Sequence, residues 1–284
     1  MLTTHLAIDL SGTSIRVLVG NLGDRMRCAA APAPPGSMIG GSVVDGSALA
    51  PVLKQLVARA EVKETRAMVA ASDSLASFRV LSFARDATDS KIDSFVRAEL
   101  PTDGARMAFQ RHELTHNGGE RTVYAVAYDR PKVQALAAMV RLAGLEPTVV
   151  ELKSLCVARV APLPTCVVLD MTADPAEVFL IEGSLPRLWH SFRADLETGA
   201  GSDEIVAGLR TVLNFYKRQP AGKDFGPNVP IFVSADQPLS SHGAAAVESL
   251  LGHPVLALPA PPRVAAEIRH GTFLACLGLI MRRR

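Results

Sequence analysis

Two stretches of the chain decide the fold: LAIDLSGTSIRVLVG at Leu6–Gly20 and CVVLDMTADPAEVFLIEG at Cys166–Gly183. Each contains an apolar run that ends in aspartate (Asp9 or Asp170), a turn of small polar residues, and a second apolar run. Apolar runs separated by turn residues predict strand–turn–strand units, and a third strand follows each copy. Two distant copies do not make a repeat array. They predict two domains of similar topology that face each other.

Helical patterns lie between and after these hairpins. Apolar residues recur at helical spacing in 47–60, and a proline and a glycine bound a second helix at 131–144. Between these helices, a strand at 78–83, a helix at 88–100 and a strand at 106–113 form a small insert at about 72–120. The insert is too short to bury its own core well, so it should pack on the first domain. The expected division is 1–163 for the first domain and 164–284 for the second.

Composition excludes several classes of protein. Of 284 residues, 48% are hydrophobic and 20% charged, which excludes wholesale disorder. Lys and Arg total 30 against 28 Asp and Glu, so the net charge of +2 argues against nonspecific nucleic-acid binding. The four cysteines show no CxxC spacing, which argues against a structural zinc site, and four thiols in a chain of this length suggest a reducing compartment rather than a disulfide framework. The apolar run 272–281 is too short to span a bilayer and predicts a buried terminal helix. We therefore expect a cytoplasmic protein.

The two hairpins also carry the candidate chemistry. A turn of Gly, Ser and Thr directs backbone N–H groups and hydroxyls at a phosphate, and the preceding carboxylate can hold a hydrated Mg²⁺. Facing hairpins of this kind can clamp a nucleotide, although an ordinary β-turn would have the same composition. The candidate cofactor-binding residues are Asp9, Ser11, Gly12, Thr13, Ser14, Arg16, Asp170 and Thr172.

No catalytic residue and no metal ligand is assigned from the sequence. His112 and His116 are separated by a predicted loop and have no third ligand nearby. Ser11 and Ser234 have no evident His and Asp partners, so a hydrolase triad is unsupported.

An ordered set of motifs extends over nearly the whole chain: IDLSGTSIRVL at 8–18, SFVRAELP at 94–101, GLRTVLNFYK at 208–217 and FLACLGLIMRR at 273–283. In this order the chain resembles the PilM family of type IV pilus assembly proteins, in the actin-like ATPase superfamily that also contains FtsA. The resemblance implies an α/β, actin-like (ribonuclease H-like) two-domain fold with mixed sheets. In the terms of that superfamily, the first domain corresponds to subdomain IA, the insert to subdomain IC and the second domain to subdomain IIA.

The chain departs from this family in two respects. Residues 194–202 leave no room for a subdomain IIB before the next helix. Both phosphate loops also lack the glycine usual after Asp-x, since Leu10-Ser11 and Met171-Thr172 stand there, and Ser234-Ala235-Asp236-Gln237 replaces a Gly-Gly loop. Glycine lets the backbone approach a phosphate closely, so these changes predict weak nucleotide binding or none.

The resemblance implies a cytoplasmic scaffold of a type IV pilus or related secretion machine, located at the inner face of the cell membrane. Its partner would be the tail of a PilN-like inner-membrane protein, held between IA and IC, and pilus motor ATPases would be further contacts. We expect a pseudo-ATPase, with ATP and magnesium as a less favoured cofactor. Two alternatives stay open: an active Mg-ATP-dependent ATPase or phosphotransferase that uses Asp9 or Asp170, and an FtsA-like membrane-tethered polymerising protein.

Overall fold

The computed structural model describes residues 4–100, 106–114, 120–172, 174–193, 201–219, 226, 228–235 and 241–282. Several sequence predictions fall outside these ranges. They are the loop around His116, residues Asp236 and Gln237 of the Gly-Gly replacement, and most of the segment 194–202 in which subdomain IIB is expected to be missing.

Strands and helices alternate along the described residues. The strands are β1 (His5–Leu10), β2 (Ser14–Gly20), β3 (Arg27–Pro32), β4 (Met38–Ile39), β5 (Ser42–Val43), β6 (Arg66–Ala71), β7 (Ala76–Ala84), β8 (Met107–Leu114), β9 (Glu120–Asp129), β10 (Glu146–Leu152), β11 (Cys166–Asp170), β12 (Ala176–Glu182), β13 (Leu185–Phe192), β14 (Ile231–Ser234) and β15 (Val255–Ala257). The helices are α1 (Gly46–Arg59), α2 (Asp89–Glu99), α3 (Arg130–Leu142), α4 (Lys153–Val160), α5 (Gly201–Lys217), α6 (Ser241–Leu251) and α7 (Leu274–Ile280).

Two five-stranded sheets share one topology. The first has the order β3-β2-β1-β6-β10 and the second the order β13-β12-β11-β14-β15. In each sheet three antiparallel strands formed by consecutive hairpins are followed by two parallel strands. The duplicated core predicted from the two hairpins is therefore confirmed by strand order and direction.

Side-chain alternation gives each sheet two buried faces. On the first sheet, Ile8 and Val17 pack against α1 and α3, whereas Ala7 and Leu18 face α4 and α7. The inner face of the second sheet also packs on α4 and α7, and its outer face packs on α5 and α6. Strands buried on both faces read as continuous apolar runs, as these do. The pair α4 and α7 thus forms the layer between the two sheets.

The insert is a three-stranded antiparallel sheet of order β7-β9-β8, covered on one face by α2. Ile92 and Val96 of α2 pack against Val123, Ala125 and Ala127 of β9. Because β9 ends at Asp129, this sheet extends beyond the expected limit near residue 120. The carboxylate of Asp129 then caps α3 by accepting a hydrogen bond from the Lys132 N–H, so one residue ends the strand and starts the helix.

The apolar run near the C-terminus forms α7, and all seven of its residues are buried. This confirms the predicted buried terminal helix. Among the described residues, no helix is both long enough and apolar enough to cross a bilayer.

Candidate functional site

The two hairpin turns have the same internal hydrogen bonds. In the first, the Asp9 Oδ1 atom accepts from the backbone N–H of Ser11 at 2.9 Å and from its hydroxyl at 2.5 Å. In the second, the Asp170 Oδ1 atom accepts from the backbone N–H of Thr172 at 2.9 Å and from its hydroxyl at 2.7 Å. Both aspartates are 1% exposed. The duplicated sheets therefore bring equivalent carboxylates to the ends of their equivalent strands.

Arg16 connects the two turns. Its guanidinium donates to the Asp9 Oδ2 atom at 3.2 Å and to the Thr172 carbonyl oxygen at 2.7 Å. Its side chain is only 6% exposed. Burial acts to lower the pKa of Arg16, but the negative charges of Asp9 and Asp170 outweigh it and raise the pKa. The predicted hairpins thus face each other, and the arginine expected to serve a phosphate is bound to protein groups.

The region where the two hairpin turns face each other, called the cleft below, also contains a lysine that the sequence analysis did not single out. Lys153, the first residue of α4, is 1% exposed. Its ammonium lies 2.7 Å from the Asp170 Oδ2 atom and 2.5 Å from the Glu177 Oε2 atom. The other carboxylate oxygen of Glu177 accepts a hydrogen bond from the Trp189 indole N–H at 2.9 Å. One ammonium therefore joins two buried carboxylates of the second sheet.

The pKa shifts follow from this pairing. Burial acts to lower the pKa of Lys153, yet Asp170 and Glu177 raise it well above its ordinary value, so the lysine is charged. Burial acts to raise the pKa of Asp170, but Lys153 and Thr172 outweigh it and hold the pKa below its usual value. For Glu177, burial prevails over the attraction of Lys153 and the pKa is raised. Asp170 is thus the principal counterion of the lysine.

A third buried carboxylate fixes the start of α4. Asp73 is 1% exposed and accepts hydrogen bonds from the Ser154 hydroxyl and, at 2.9 Å, from the Ser154 backbone N–H. Burial raises the pKa of Asp73 to about 7, although the Ser154 hydrogen bonds oppose the rise. Asp73 follows β6 of the first sheet and Lys153 bonds to the second. Neighbouring residues of α4 therefore connect α4 to both sheets.

The carboxylate oxygens of the two turns are all paired with protein groups. Magnesium in nucleotide sites keeps several waters and is bound through carboxylates with free oxygens. Both oxygens of Asp9 and both oxygens of Asp170 already have protein partners. Gly12 does not have the positive φ of a specialised glycine turn. Thr13 is exposed, and Ser14 already belongs to β2.

A second candidate site is a groove of about 1080 Å³ between the insert and the first sheet. One wall is the face of the insert sheet that α2 leaves uncovered, and it presents Gln110, His112 and Leu114 of β8 with Tyr124, Val126 and Tyr128 of β9. The opposite wall is made by β10 and α4. Four consecutive β10 residues, 149–152, contribute to the lining, which shows that the groove follows the edge of this strand.

The polar groups of the groove are unevenly distributed. At one end, Arg159 donates two hydrogen bonds to Glu151, at 2.7 and 2.5 Å, so this pair is charge-balanced. Tyr124 also lines the groove, and its hydroxyl is buried and has no hydrogen-bond partner among the described residues. Burial, together with the charges of Asp73 and Glu151, raises the pKa of Tyr124, so its phenol is neutral and can donate. A buried hydroxyl without a partner is costly unless a ligand supplies one.

Sequence reasoning found the hairpin residues but missed Lys153, Glu177 and Tyr124. The lysine begins α4 (Lys153–Val160), a mostly apolar helix that also contains Arg159, and Glu151 lies two residues before it. A charge at the start of a largely buried helix requires a counterion, but nothing in the sequence identifies Asp170 and Glu177 as that counterion. Tyr124 lies between Val123 and Ala125 in a run of buried residues of β9, and nothing in the sequence marks it.

No family model matches this chain, and no curated protein matches it by sequence. Solved structures do match. The PilM–PilN type IV pilus biogenesis complex contains a chain that is 20% identical, with a TM-score of 0.74 and coverage of 97% of both chains. The cytoplasmic domain of EpsL, an inner-membrane component of the type II secretion system of Vibrio cholerae, is 12% identical with a TM-score of 0.57, covering 99% of this chain and 97% of that one.

A third structure, from Bacteroides thetaiotaomicron, is described as a protein with an actin-like ATPase fold and unknown function. It is 11% identical with a TM-score of 0.51 and coverage of 96% of both chains. These likenesses extend over almost the entire length of each chain, and they agree with the duplicated strand order described above. The chain therefore has the actin-like ATPase fold.

Proposed function

We propose that this protein is an actin-like scaffold of a type IV pilus or related secretion machine. In this proposal it works in the cytoplasm at the inner face of the cell membrane. It binds the cytoplasmic tail of a PilN-like inner-membrane protein, and its association with the membrane is peripheral and goes through that partner. Support comes from the shared fold with a chain of the PilM–PilN complex and with the cytoplasmic domain of EpsL. Contacts with pilus motor ATPases are a further part of the proposal.

The groove beside β10 is the observation that carries this proposal. The strand is at the edge of its sheet, and β6 is its partner on the other side. An edge strand offers backbone N–H and C=O groups to an added extended segment, while side-chain pockets select its residues. Here the apolar residues Val126, Val149 and Leu155 line the groove. An extended apolar peptide with an acceptor opposite the Tyr124 hydroxyl suits this chemistry.

The nucleotide part of the proposal is a degenerate site. Two features support it: the missing loop glycines and the carboxylates already paired with protein cations. A scaffold needs a stable arrangement of its two halves and no turnover. In this account Asp9, Ser11, Arg16, Asp170 and Thr172, which were expected to bind cofactor, serve instead to hold the cleft together.

The test is a binding titration with a fluorescently labelled peptide. The peptide carries the first residues of a PilN-like protein from the same genome, and anisotropy reports its affinity. Val126→Arg places a long charged side chain on the groove wall and should weaken binding at least about tenfold, or roughly 1.4 kcal/mol. Leu250→Arg is the matched control, since Leu250 is an exposed apolar residue of α6, 54% exposed and outside the groove lining. Equal affinities of the two variants would contradict the proposal.

Tyr124→Phe separates the hydroxyl from the ring. The ring stacks on Phe78, with centroids 5.9 Å apart, and the substitution retains this contact. Because the hydroxyl has no hydrogen-bond partner in the part of the chain that the structure describes, its removal should leave the free energy of unfolding unchanged or higher. Peptide affinity should fall by about 1 kcal/mol if the peptide supplies the missing acceptor. Unchanged affinity would exclude Tyr124 from the recognition of the peptide.

A further inference from the structure

The position of the Lys153 ammonium indicates a role beyond packing. It lies between Asp170, at the end of β11, and Glu177, near the start of β12, so it is beside the second hairpin turn. In a nucleotide-binding hairpin a carboxylate at this place faces a hydrated metal ion. Here the protein itself supplies the positive charge, and the side chain that carries it is 1% exposed.

The charges on the two sides of the cleft are joined by protein groups only. Arg16 runs from Asp9 of the first hairpin to the Thr172 carbonyl of the second. Lys153 belongs to the helix that Asp73 of the first domain holds through Ser154, and it bonds to Asp170 of the second domain. Two independent connections therefore cross from one half of the fold to the other.

We propose that Lys153 is the resident cation of this cleft, replacing a metal-bound nucleotide beside Asp170 and, with Arg16, keeping the two halves closed. The basis of this proposal is that the chain has the actin-like fold, whereas the carboxylates of its cleft are already paired with protein cations. It extends the nucleotide part of the proposed function and does not depend on the peptide groove.

Electrostatics explains why one lysine can take this role. Two carboxylates buried close together repel each other, and removal of the cation between them leaves uncompensated charge in a medium of low dielectric. An ammonium held by helix α4 permanently offsets part of their negative charge, without the entropy loss of binding a free ion. The cleft is then closed independently of the concentration of nucleotide or magnesium.

The experiment measures thermal unfolding of the full chain for three variants. Lys153→Met removes the charge and keeps most of the side-chain volume, and it should lower Tm by about 10 °C. The triple variant Lys153→Met, Asp170→Asn, Glu177→Gln removes the opposing charges as well and should regain at least half of that loss. The control is Lys132→Met, because Lys132 is 37% exposed and lies 3.8 Å from its partner Asp129. It should leave Tm nearly unchanged.

A second experiment uses a free cation, methylammonium, as a probe of the site. An alanine at position 153 leaves room for a small ion, so methylammonium should raise the Tm of Lys153→Ala and leave the wild type unchanged. Mg-ATP should not shift the Tm of the wild type, since its carboxylates are already paired with protein cations. The proposal is overturned if Lys153→Met has the same Tm as Lys132→Met. It is also overturned if the Tm of the triple variant is no higher than that of Lys153→Met, or if neither of these two variants folds. A stabilising shift of the wild type by Mg-ATP has the same consequence.

Discussion

The crossing of α4 and α7 is sensitive to a single methyl group at Gly278. A β-carbon at this position would meet the backbone carbonyl group of Cys156, and backbone atoms cannot rotate away as a side chain can. Overpacking of this kind costs about 1–3 kcal/mol, and the rigid contact puts Gly278→Ala at the upper end of that range. Alanine is about 1 kcal/mol more favourable than glycine in a helix, and this difference offsets part of the packing cost. We therefore expect a net loss of about 2 kcal/mol in the free energy of unfolding.

Urea denaturation followed by circular dichroism measures this loss as a lower transition midpoint. Gly12→Ala is the control, because a β-carbon at Gly12 would have no neighbour within 4 Å and its φ is not in the left-handed region. The control should change stability by less than about 0.5 kcal/mol. If Gly278→Ala were as stable as the control, α4 and α7 would not be packed backbone to backbone, and the layer between the sheets would be described wrongly.

Two further substitutions probe the buried polar network. The pKa of Asp73 is about 7 in the fold against an ordinary 3.8, so its contribution to stability is complete below pH 4 and lost as the pH rises through 7. Asp73→Asn should make stability less dependent on pH between about 4 and 7, because the group that titrates is removed; an unchanged pH profile in urea melts would refute the shift. Trp189→Phe removes the donor to Glu177 and should cost about 1–3 kcal/mol in the same melts, whereas a neutral effect would show that this carboxylate does not need the indole.

The fold could be predicted from local patterns because its determinants are local. Strand, turn and strand are encoded within each stretch around Asp9 and Asp170, and the repetition of the pattern indicates the duplicated sheet. Prolines and glycines located the helix boundaries to within two residues for α3, which begins at Arg130 and ends at Leu142. These signals depend on the chemistry of adjacent residues and need no knowledge of tertiary contacts.

The interior of the cleft could be predicted only in part. Sequence reasoning identified Asp9, Asp170 and Arg16 as neighbours of one site, and the structure brings them together. It did not find Lys153, because the lysine meets Glu177 only after the chain has crossed from one domain to the other. Pairing of distant charges depends on the relative position of two sheets, which no local pattern encodes.

The groove was expected between the insert and the first domain, but only through resemblance to a family. Its chemistry depends on which face of the insert sheet α2 covers, and both faces of β9 carry residues that suit burial. The structure shows that Val123, Ala125 and Ala127 are the covered set, which leaves Tyr124 and Val126 for the groove. Face selection in a small sheet is a tertiary property, so the groove residues were beyond sequence reasoning.

The most direct test of the scaffold account is one calorimetric titration carried out twice. The PilN-like tail peptide is titrated into the wild-type protein without nucleotide and again with saturating Mg-ATP. The account predicts binding with the same Kd in both experiments, because the groove is preformed and the cleft is held closed by its own cations. Binding that requires Mg-ATP, or no binding in either titration, would contradict it.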